Sequence, residues 1–490
     1  MAVELTERPD TSRGASRIPA GLSSYALALA GLTALAAALR FSTLGVQSFW
    51  HDEAVTVGRI LRPSLIDTLR TIPSSEATPP LYYVLAWGWT KVFGLGEVGV
   101  RSFSALLGTA LVPVTYLTAA RLAPRRAALA AAALVACSPL LVWYSQEARA
   151  YELLALLCAL SLLFVLQRRL VRWALVSALA LATHYFALFP IAAEAAWLMW
   201  RERRRATWLA VGFVTAVGGA LVPLVLHQKG RGHDEWIARI PLATRLRDAG
   251  KSFLVGPSGA PSAALYVLVA ACLVASAVLL WRRTDGGERR RVLLPLAVGA
   301  AVVVVPLAGS LVGVDYLYYR NLIPAFVPLA IVAGAAFAGS RAGRRGALTA
   351  AVLCASWAAC VIAVDVDSSL QRADWRDAAK AIGPTAATRA LVVPFIGDDP
   401  VEVYLGHTTR MTGRASVAEV DVLGWTARGA THSRLPAPGF REVSRRRVGA
   451  FTLLRFRAPR PMVLSRVQLA HAKLGREHGA VLLQRPGGGA

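Results

Sequence analysis

Cysteine is scarce in this 490-residue chain, and all five residues, Cys137, Cys158, Cys272, Cys354 and Cys360, fall inside apolar runs. No loop thiol remains for a disulfide framework or a thiolate zinc site, so the aqueous parts must hold together without either. Acidic residues are few as well, 29 against 54 Lys and Arg, for a formal charge of +25. Such an excess points to nucleic acid only when the basic side chains gather on one soluble face. Here they form short clusters, such as Arg201 to Arg205 and Arg289 to Arg291, between long apolar runs. That is the pattern of cytoplasmic loops in a membrane protein, and it argues against a nucleic-acid partner. No convincing internal repeat is visible, which counts against a secondary transporter built from repeated halves.

What is abundant is apolar surface: 55% of residues are hydrophobic and the mean hydropathy is +0.49. A bilayer is the expected solvent. Residues 1–20 are polar and of mixed charge, and the tail from Pro486 to Ala490 is mostly glycine; both ends are expected to be disordered. The first apolar run, Ser24 to Phe41, has small residues at Ala36, Ala37 and Ala38 that would suit a cleaved signal peptide. Its length and the charge pattern downstream favour an uncleaved first span.

Five Arg-rich loops qualify as cytoplasmic: Arg121 to Arg126, Arg168 to Arg172, Arg201 to Arg205, Arg282 to Arg291 and Arg341 to Arg345. The chain must cross an even number of times between them. This predicts about 11 spans with the N-terminus in the cytoplasm, and outer tips at Tyr144 to Arg149, His184 to Phe186, His227 to Ser262 and Val312 to Arg320. Arg172 to Trp200 is short for two full crossings, so His184 is expected at a shallow tip facing a cavity. Leu81 to Phe93 is too short to span and reads as an interfacial or re-entrant helix in a long outer loop, 42–97. The transmembrane domain is thus 21–364. Beyond Asp365 no run could span, and 365–490 reads as a small extracytoplasmic α/β domain. It is expected to have a helix over Trp375 to Ile382 and strands at Ala390 to Ile396, Phe451 to Phe456 and Met462 to Leu469. Its 19 Lys and Arg against 11 Asp and Glu suit anionic headgroups or an acidic envelope polymer, or simply a soluble surface.

Candidate chemistry lies at the outer tips. After the first span come Trp50, His51, Asp52 and Glu53. The bland reading makes Asp52 a helix N-cap and Glu53 a dipole partner; the functional one is a general base whose basicity partial desolvation raises. A second stretch runs from Ser75 and Glu76 through Thr78, Pro79 and Pro80 to Tyr82 and Tyr83, where the prolines fix an extended approach to a helix. A third, Trp143 to Glu152, crowds Glu147, Arg149 and Glu152 beside the bilayer, and a fourth, Asp315 to Pro324, carries Arg320 among Tyr316, Tyr318 and Tyr319. In the third stretch Ser145 could be a plain N-cap and Glu147 a dipole partner, yet a planar, permanently charged Arg149 is also what phosphate binding favours; in the fourth the tyrosines could be an aromatic belt and Arg320 could snorkel.

Asp52-Glu53, Pro-Pro-Leu-Tyr-Tyr at 79–83, Tyr-Ser-Gln-Glu-Ala-Arg at 144–149, Thr-His-Tyr-Phe at 183–186 and Tyr-Arg-Asn-Leu-Ile-Pro at 319–324 occur in this order. Together they resemble glycosyltransferase family 39, which includes protein O-mannosyltransferases and is similar to the transferases that add aminoarabinose to lipid A. The resemblance covers roughly Ser24 to Ser340. It implies a polytopic α-helical membrane protein of the C-type glycosyltransferase fold. It further implies an inverting transfer from a polyprenyl-monophosphate sugar donor to an acceptor hydroxyl on a lipid, glycan or protein at the outer face of the cell membrane. The family's catalytic carboxylate matches Asp52, with Glu53 beside it, and Arg149 and Arg320 match arginines placed to clamp the donor phosphate. Tyr82, Glu147, His184, Tyr185 and Tyr319 are expected to bind substrate. Many relatives have His before the double proline where Thr78 stands, which puts any proton or phosphate role there in doubt. Arginines suffice for a monophosphate leaving group, so no cofactor is expected; the alternative is that Asp52 and Glu53 hold a divalent ion. The rival classes are a membrane transporter and a non-catalytic envelope assembly protein, and the latter leaves the outer carboxylates unexplained.

Overall fold

The computed structural model describes residues 20–232, 235–339, 341–426, 434–474 and 479–486. The expected disorder of residues 1–20 and of the terminal glycines falls almost wholly outside these. Among the described residues, α1 (Ala20–Phe41) is followed by a folded segment that precedes the main bundle. In that segment α2 (His51–Val55) runs on through a π-turn at Thr56–Ile60, followed by α3 (Leu65–Ser75) and α4 (Leu81–Phe93). A helical bundle follows: α5 (Glu97–Ala119), α6 (Arg125–Cys137), α7 (Pro139–Ser145), α8 (Tyr151–Leu166), α9 (Leu170–Thr183), α10 (Leu188–Arg201) and α11 (Arg205–Lys229). It continues with α12 (Glu235–Ala238), α13 (Leu242–Val255), α14 (Ala263–Arg283), α15 (Gly286–Arg291), α16 (Leu293–Leu311), α17 (Phe326–Phe337) and α18 (Gly343–Val366).

Among the described residues, seven helical segments, one of them the run Tyr319–Phe337 that ends in α17, are long and apolar enough to cross a membrane, and eight if α6 and α7 count as one span bent by 55°. Helices α8, α9 and α10 lie where the remaining crossings were expected and have only 16, 14 and 14 residues. At 1.5 Å per residue the shorter two reach about 21 Å, less than a hydrocarbon core of ~30 Å. The tight 3₁₀ turn Tyr185–Ala187 between α9 and α10 gives the shallow tip expected at His184. Glu194 ties these short helices together inside the bundle, accepting from Trp173 Nε1 at 2.9 Å and Ser161 Oγ at 3.1 Å; a buried polar group in hydrocarbon finds partners on neighbouring helices.

The bend between α6 and α7 has a local cause. Pro139 has no N–H and its ring blocks the preceding turn, while Ser138 Oγ accepts from Leu141 N and starts α7. The carbonyls freed at the end of α6 are taken up by Arg40, fully buried at the end of α1, which donates to Val135 O and Ala136 O at 3.0 Å and to Ser145 Oγ at 3.0 Å. Gly108 on α5 lets that cluster close, since a Cβ there would run into Ser145 and Glu152.

Beyond the bundle lie α19 (Trp375–Ile382), β1 (Arg389–Pro394), α20 (Asp398–Leu405), β2 (Thr408–Arg410), β3 (Arg414–Trp425), β4 (Arg441–Val448), β5 (Phe451–Ser465), α21 (Arg466–His471) and β6 (Gly479–Gln484). The strands form one sheet in the order β2-β6-β1-β3-β5-β4, with β1 and β3 parallel and the other pairs antiparallel. Alternate residues feed two cores: Ala390, Val392 and Phe456 on one face with α21, Leu391, Val393 and Leu453 on the other with α19. The strand expected to run on to Leu469 stops at Ser465. There a capping box with Gln468 starts α21 instead.

This small domain docks on the segment before α5. Ser48 Oγ accepts from Trp375 N at 3.0 Å, Tyr404 Oη accepts from Phe49 N and donates to Glu97 at 2.7 Å each, and Arg376 Nε meets Glu97 at 3.1 Å. The segment that carries Asp52 is therefore held from both sides.

Candidate active site

The end of the bundle where α1, α7 and α18 finish gathers the candidate residues. Trp50, in extended backbone, is the N-cap of α2, and Glu53 reaches back towards its N–H at 3.5 Å. Asp52 is thus inside the first turn, which corrects the reading of it as an N-cap. Its Oδ2 accepts from Arg320 Nη1 at 2.7 Å across 268 residues of chain. The Arg320 guanidinium faces the rings of Trp236 at 5.2 Å, Tyr318 at 5.7 Å, Trp50 at 5.9 Å and Tyr151 at 6.0 Å. Aromatic faces hold a cation in place without neutralising it. The pair keeps 18% and 16% of its side-chain surface exposed, so a ligand can reach it.

Glu53 has a different environment and no exposure. Both its oxygens accept from Arg101, at 2.7 Å from Nε and 2.6 Å from Nη2, and Ala148 N donates to Oε1 at 2.9 Å. Arg101 also donates to the carbonyls of Leu44, Gln47 and Ser48. With every lone pair engaged, Glu53 braces the segment before α5 against α5 itself; the expected catalytic role beside Asp52 does not fit. Nor do the two carboxylates fit a shared divalent ion, since both oxygens of Glu53 are taken. The expected rise in Asp52 basicity is also reversed. Burial pushes its carboxyl up, but Arg320, Arg149 and His51 outweigh burial and hold it below the usual carboxylate range. Glu53 is held low in the same way, burial being outweighed by Arg101.

Arg149, expected as a free phosphate clamp, is paired with Glu76 on both terminal nitrogens, Nη2 at 2.8 Å, beside the Tyr83 ring at 6.0 Å. Its charge is balanced locally. Glu147 meets Arg372 Nη2 at 2.7 Å and keeps its other oxygen unbonded; burial raises its pKa to about 7. His184 Nδ1 accepts from Phe186 N at 3.2 Å, and the ring lies 5.8 Å from Tyr151. Burial, Arg149 and Arg320 depress its pKa to about 3, so it is neutral with its proton on Nε2. Tyr319 packs against Tyr318 with ring centroids 4.4 Å apart and planes tilted by 41°, next to Arg320. Two expected binders point elsewhere. Tyr82 is fully buried against Ser104 and Phe103, and Tyr185 donates to Gln228, which itself donates to Thr78 O.

Three residues absent from the sequence-based site complete it. Glu76 balances Arg149, Arg101 holds Glu53, and Arg372, beyond the last span, lies over Trp143 at 4.3 Å and Trp50 at 5.6 Å. Glu76 was visible as an acid beside the double proline; nothing local marks Arg372. A separate group, His51 with Asp398 and Asp399, places three ligand atoms within 4.8 Å. Arg59 and Arg410 pair with those carboxylates, so the cluster has its countercharges already. Burial and Asp399 raise Asp398 to about 7.

Chemically, the site offers one reachable carboxylate in contact with one reachable arginine, in an aromatic cleft with two more arginines behind. Such a set can accept a proton and steady a departing anion.

Residues 77–227 match the sequence profile of a family described as dolichyl-phosphate-mannose-protein mannosyltransferase. No curated protein matches the chain. Among solved structures, ArnT from Cupriavidus metallidurans in the apo state is similar, with a TM-score of 0.59 and 12% identity over 89% of this chain and 98% of that one. Its form bound to undecaprenyl phosphate gives 0.55 and 15% over the same shares. The chain is a multi-span membrane protein with the fold of ArnT, and the match to the mannosyltransferase family profile lies within residues 77–227.

Proposed function

We propose that the protein is a membrane glycosyltransferase that moves a sugar from a polyprenyl-monophosphate donor to an acceptor hydroxyl, with inversion and with Asp52 as general base. The observation that carries this reading is the partly exposed Asp52–Arg320 contact of 2.7 Å at one end of an ArnT-like bundle. In the resting site Arg320 suppresses the basicity of Asp52. A donor phosphate in the cleft attracts the same guanidinium, and each share of its charge moved to phosphate returns basicity to Asp52. The acceptor oxygen then attacks the anomeric carbon while its proton passes to Asp52. The bond from that carbon to the phosphate oxygen breaks, and the monoester leaves with one more negative charge than the donor carried. Arg320 steadies that charge as it develops. Arg149, already balanced by Glu76, adds field and shape instead of a free cation, and neutral His184 offers an N–H. No step requires a metal.

The Arg-rich helix ends lie at the opposite end of the bundle, where Arg126 meets Ala338 O and Arg168 meets Glu202. By the positive-inside rule that end is cytoplasmic, and the cleft and residues 365–490 face outward. The acceptor hydroxyl belongs to a lipid, a glycan or a protein. The test is transfer by purified protein in detergent from polyprenyl-monophosphate-linked and polyprenyl-diphosphate-linked sugars. The reading expects product from the monophosphate donors; transfer from diphosphate donors alone contradicts it.

A further inference from the structure

At the end of the bundle away from the cleft, α1, α6, α17 and α18 pack on one another but leave a gap between them. Small residues line the gap: Gly31 on α1, Ala130 and Ala133 on α6, Ala347 on α18. They leave an apolar groove of ≈ 680 Å³, within the roughly 300–1,000 Å³ of ligand sites. A Cβ on Gly31 would meet no atom within 4 Å. From Arg126 at the mouth to Ala133 is seven residues of helix, a depth of about 10 Å, all of it on the bilayer side of the Arg-rich ends.

The mouth decides what fills it. Arg126 lines the groove, Arg125 precedes it, and Arg341, Arg344 and Arg345 flank Gly343, which also lines it; all five are exposed. Arg126 uses Nε on Ala338 O at 2.9 Å, and its other nitrogens have no protein partner among the described residues. Nearby Asp285 and Glu288 are occupied capping each other's backbone at 2.6 and 3.1 Å. An apolar slot beneath clustered guanidinium groups matches one acyl chain below one phosphate diester. We infer that this groove is a binding site for an anionic phospholipid of the leaflet at that end, one chain between α1, α6 and α18 and the headgroup on Arg126 and the 341–345 arginines. A zwitterionic lipid has the same chain but brings a quaternary cation to five arginines. The site lies across the bundle from the Asp52–Arg320 cleft and does not depend on the reading of that cleft.

The test is native mass spectrometry of the full chain purified in detergent and supplied with equimolar phosphatidylglycerol and phosphatidylcholine. One phosphatidylglycerol per chain is expected to survive gentle activation, at least tenfold in excess over phosphatidylcholine. Retention should be lost in Arg126→Gln/Arg344→Gln, which removes the headgroup site, and in Gly31→Leu, which fills the slot; Ala130→Leu replaces the latter if it does not fold. Equal retention of the two lipids, or unchanged retention in the variants, overturns the inference. So does displacement of the bound lipid by undecaprenyl phosphate, which would assign the groove to a polyprenyl tail.

Discussion

Glu53→Gln tests the division of labour between the adjacent carboxylates. Glu53 has no exposure and its two oxygens accept from Arg101 twice, from Ala148 N and from Trp50 N. Glutamine has one acceptor, so an NH₂ must face either the Nε/Ala148 pair of donors or the Nη2 of Arg101. It also removes the charge that balances Arg101, which is itself 1% exposed. Removing one partner of a buried pair costs about 3–5 kcal/mol, because the other charge stays buried and unmatched. Thermal unfolding in detergent should therefore fall clearly for Glu53→Gln and comparably for Arg101→Gln. The charge-free double variant Glu53→Met/Arg101→Met should recover only the part due to the unmatched charge, because the carbonyls of Leu44, Gln47 and Ser48 and the N–H of Ala148 lose their partners in it. Because Arg101 holds the Glu53 carboxyl low, its stabilisation is present above the ordinary carboxylate pKa and is lost only as pH falls through the lower folded value. A Glu53→Gln variant that melts like wild type but has lost turnover would refute the bracing role and put Glu53 among the reacting groups.

Arg320→Lys keeps the charge but loses the planar fork, and donor affinity should weaken by about 1.5–3 kcal/mol, read by titration with undecaprenyl phosphate; unchanged binding removes Arg320 from the phosphate site. Glu147, raised to about 7, takes up a proton on folding between the ordinary carboxylate pKa and 7, so its contribution to stability falls as pH rises through that window and is flat above it. Glu147→Gln should flatten the pH dependence of the melting temperature between pH 5 and 7, and a slope identical to wild type contradicts the assignment. Cysteines introduced at Ser369 and Ser416 should label with an impermeant thiol reagent in intact cells, since the native cysteines all lie in apolar runs; labelling only after lysis overturns the orientation.

The bundle was legible because apolar runs and Arg clusters alternate, and a bilayer leaves few other solutions for such a chain. The same alternation brought Asp52, Glu147, Arg149, His184 and Arg320 to one end, yet it could not say which of them touch. Arg149 looked like an unpaired tip charge because Glu76, 73 residues earlier, is its partner only in three dimensions. Arg372 was hidden for the same reason, reaching Glu147 across 225 residues. Strand β4 was missed because it is exposed along nearly its whole length and lacks the alternation that marks a half-buried strand. The rise expected in Asp52 basicity reasoned from burial alone, and the nearby arginines reverse it.

The central claim rests on Asp52 as proton acceptor. Asp52→Asn keeps the size and one acceptor for Arg320 but removes the base. The decisive measurement is turnover from a polyprenyl-monophosphate sugar donor by this variant, alongside its melting temperature and its affinity for undecaprenyl phosphate. The account predicts a loss of at least ~10²-fold in turnover, with folding and phosphate binding retained. Wild-type turnover in a well-folded Asp52→Asn protein would contradict it.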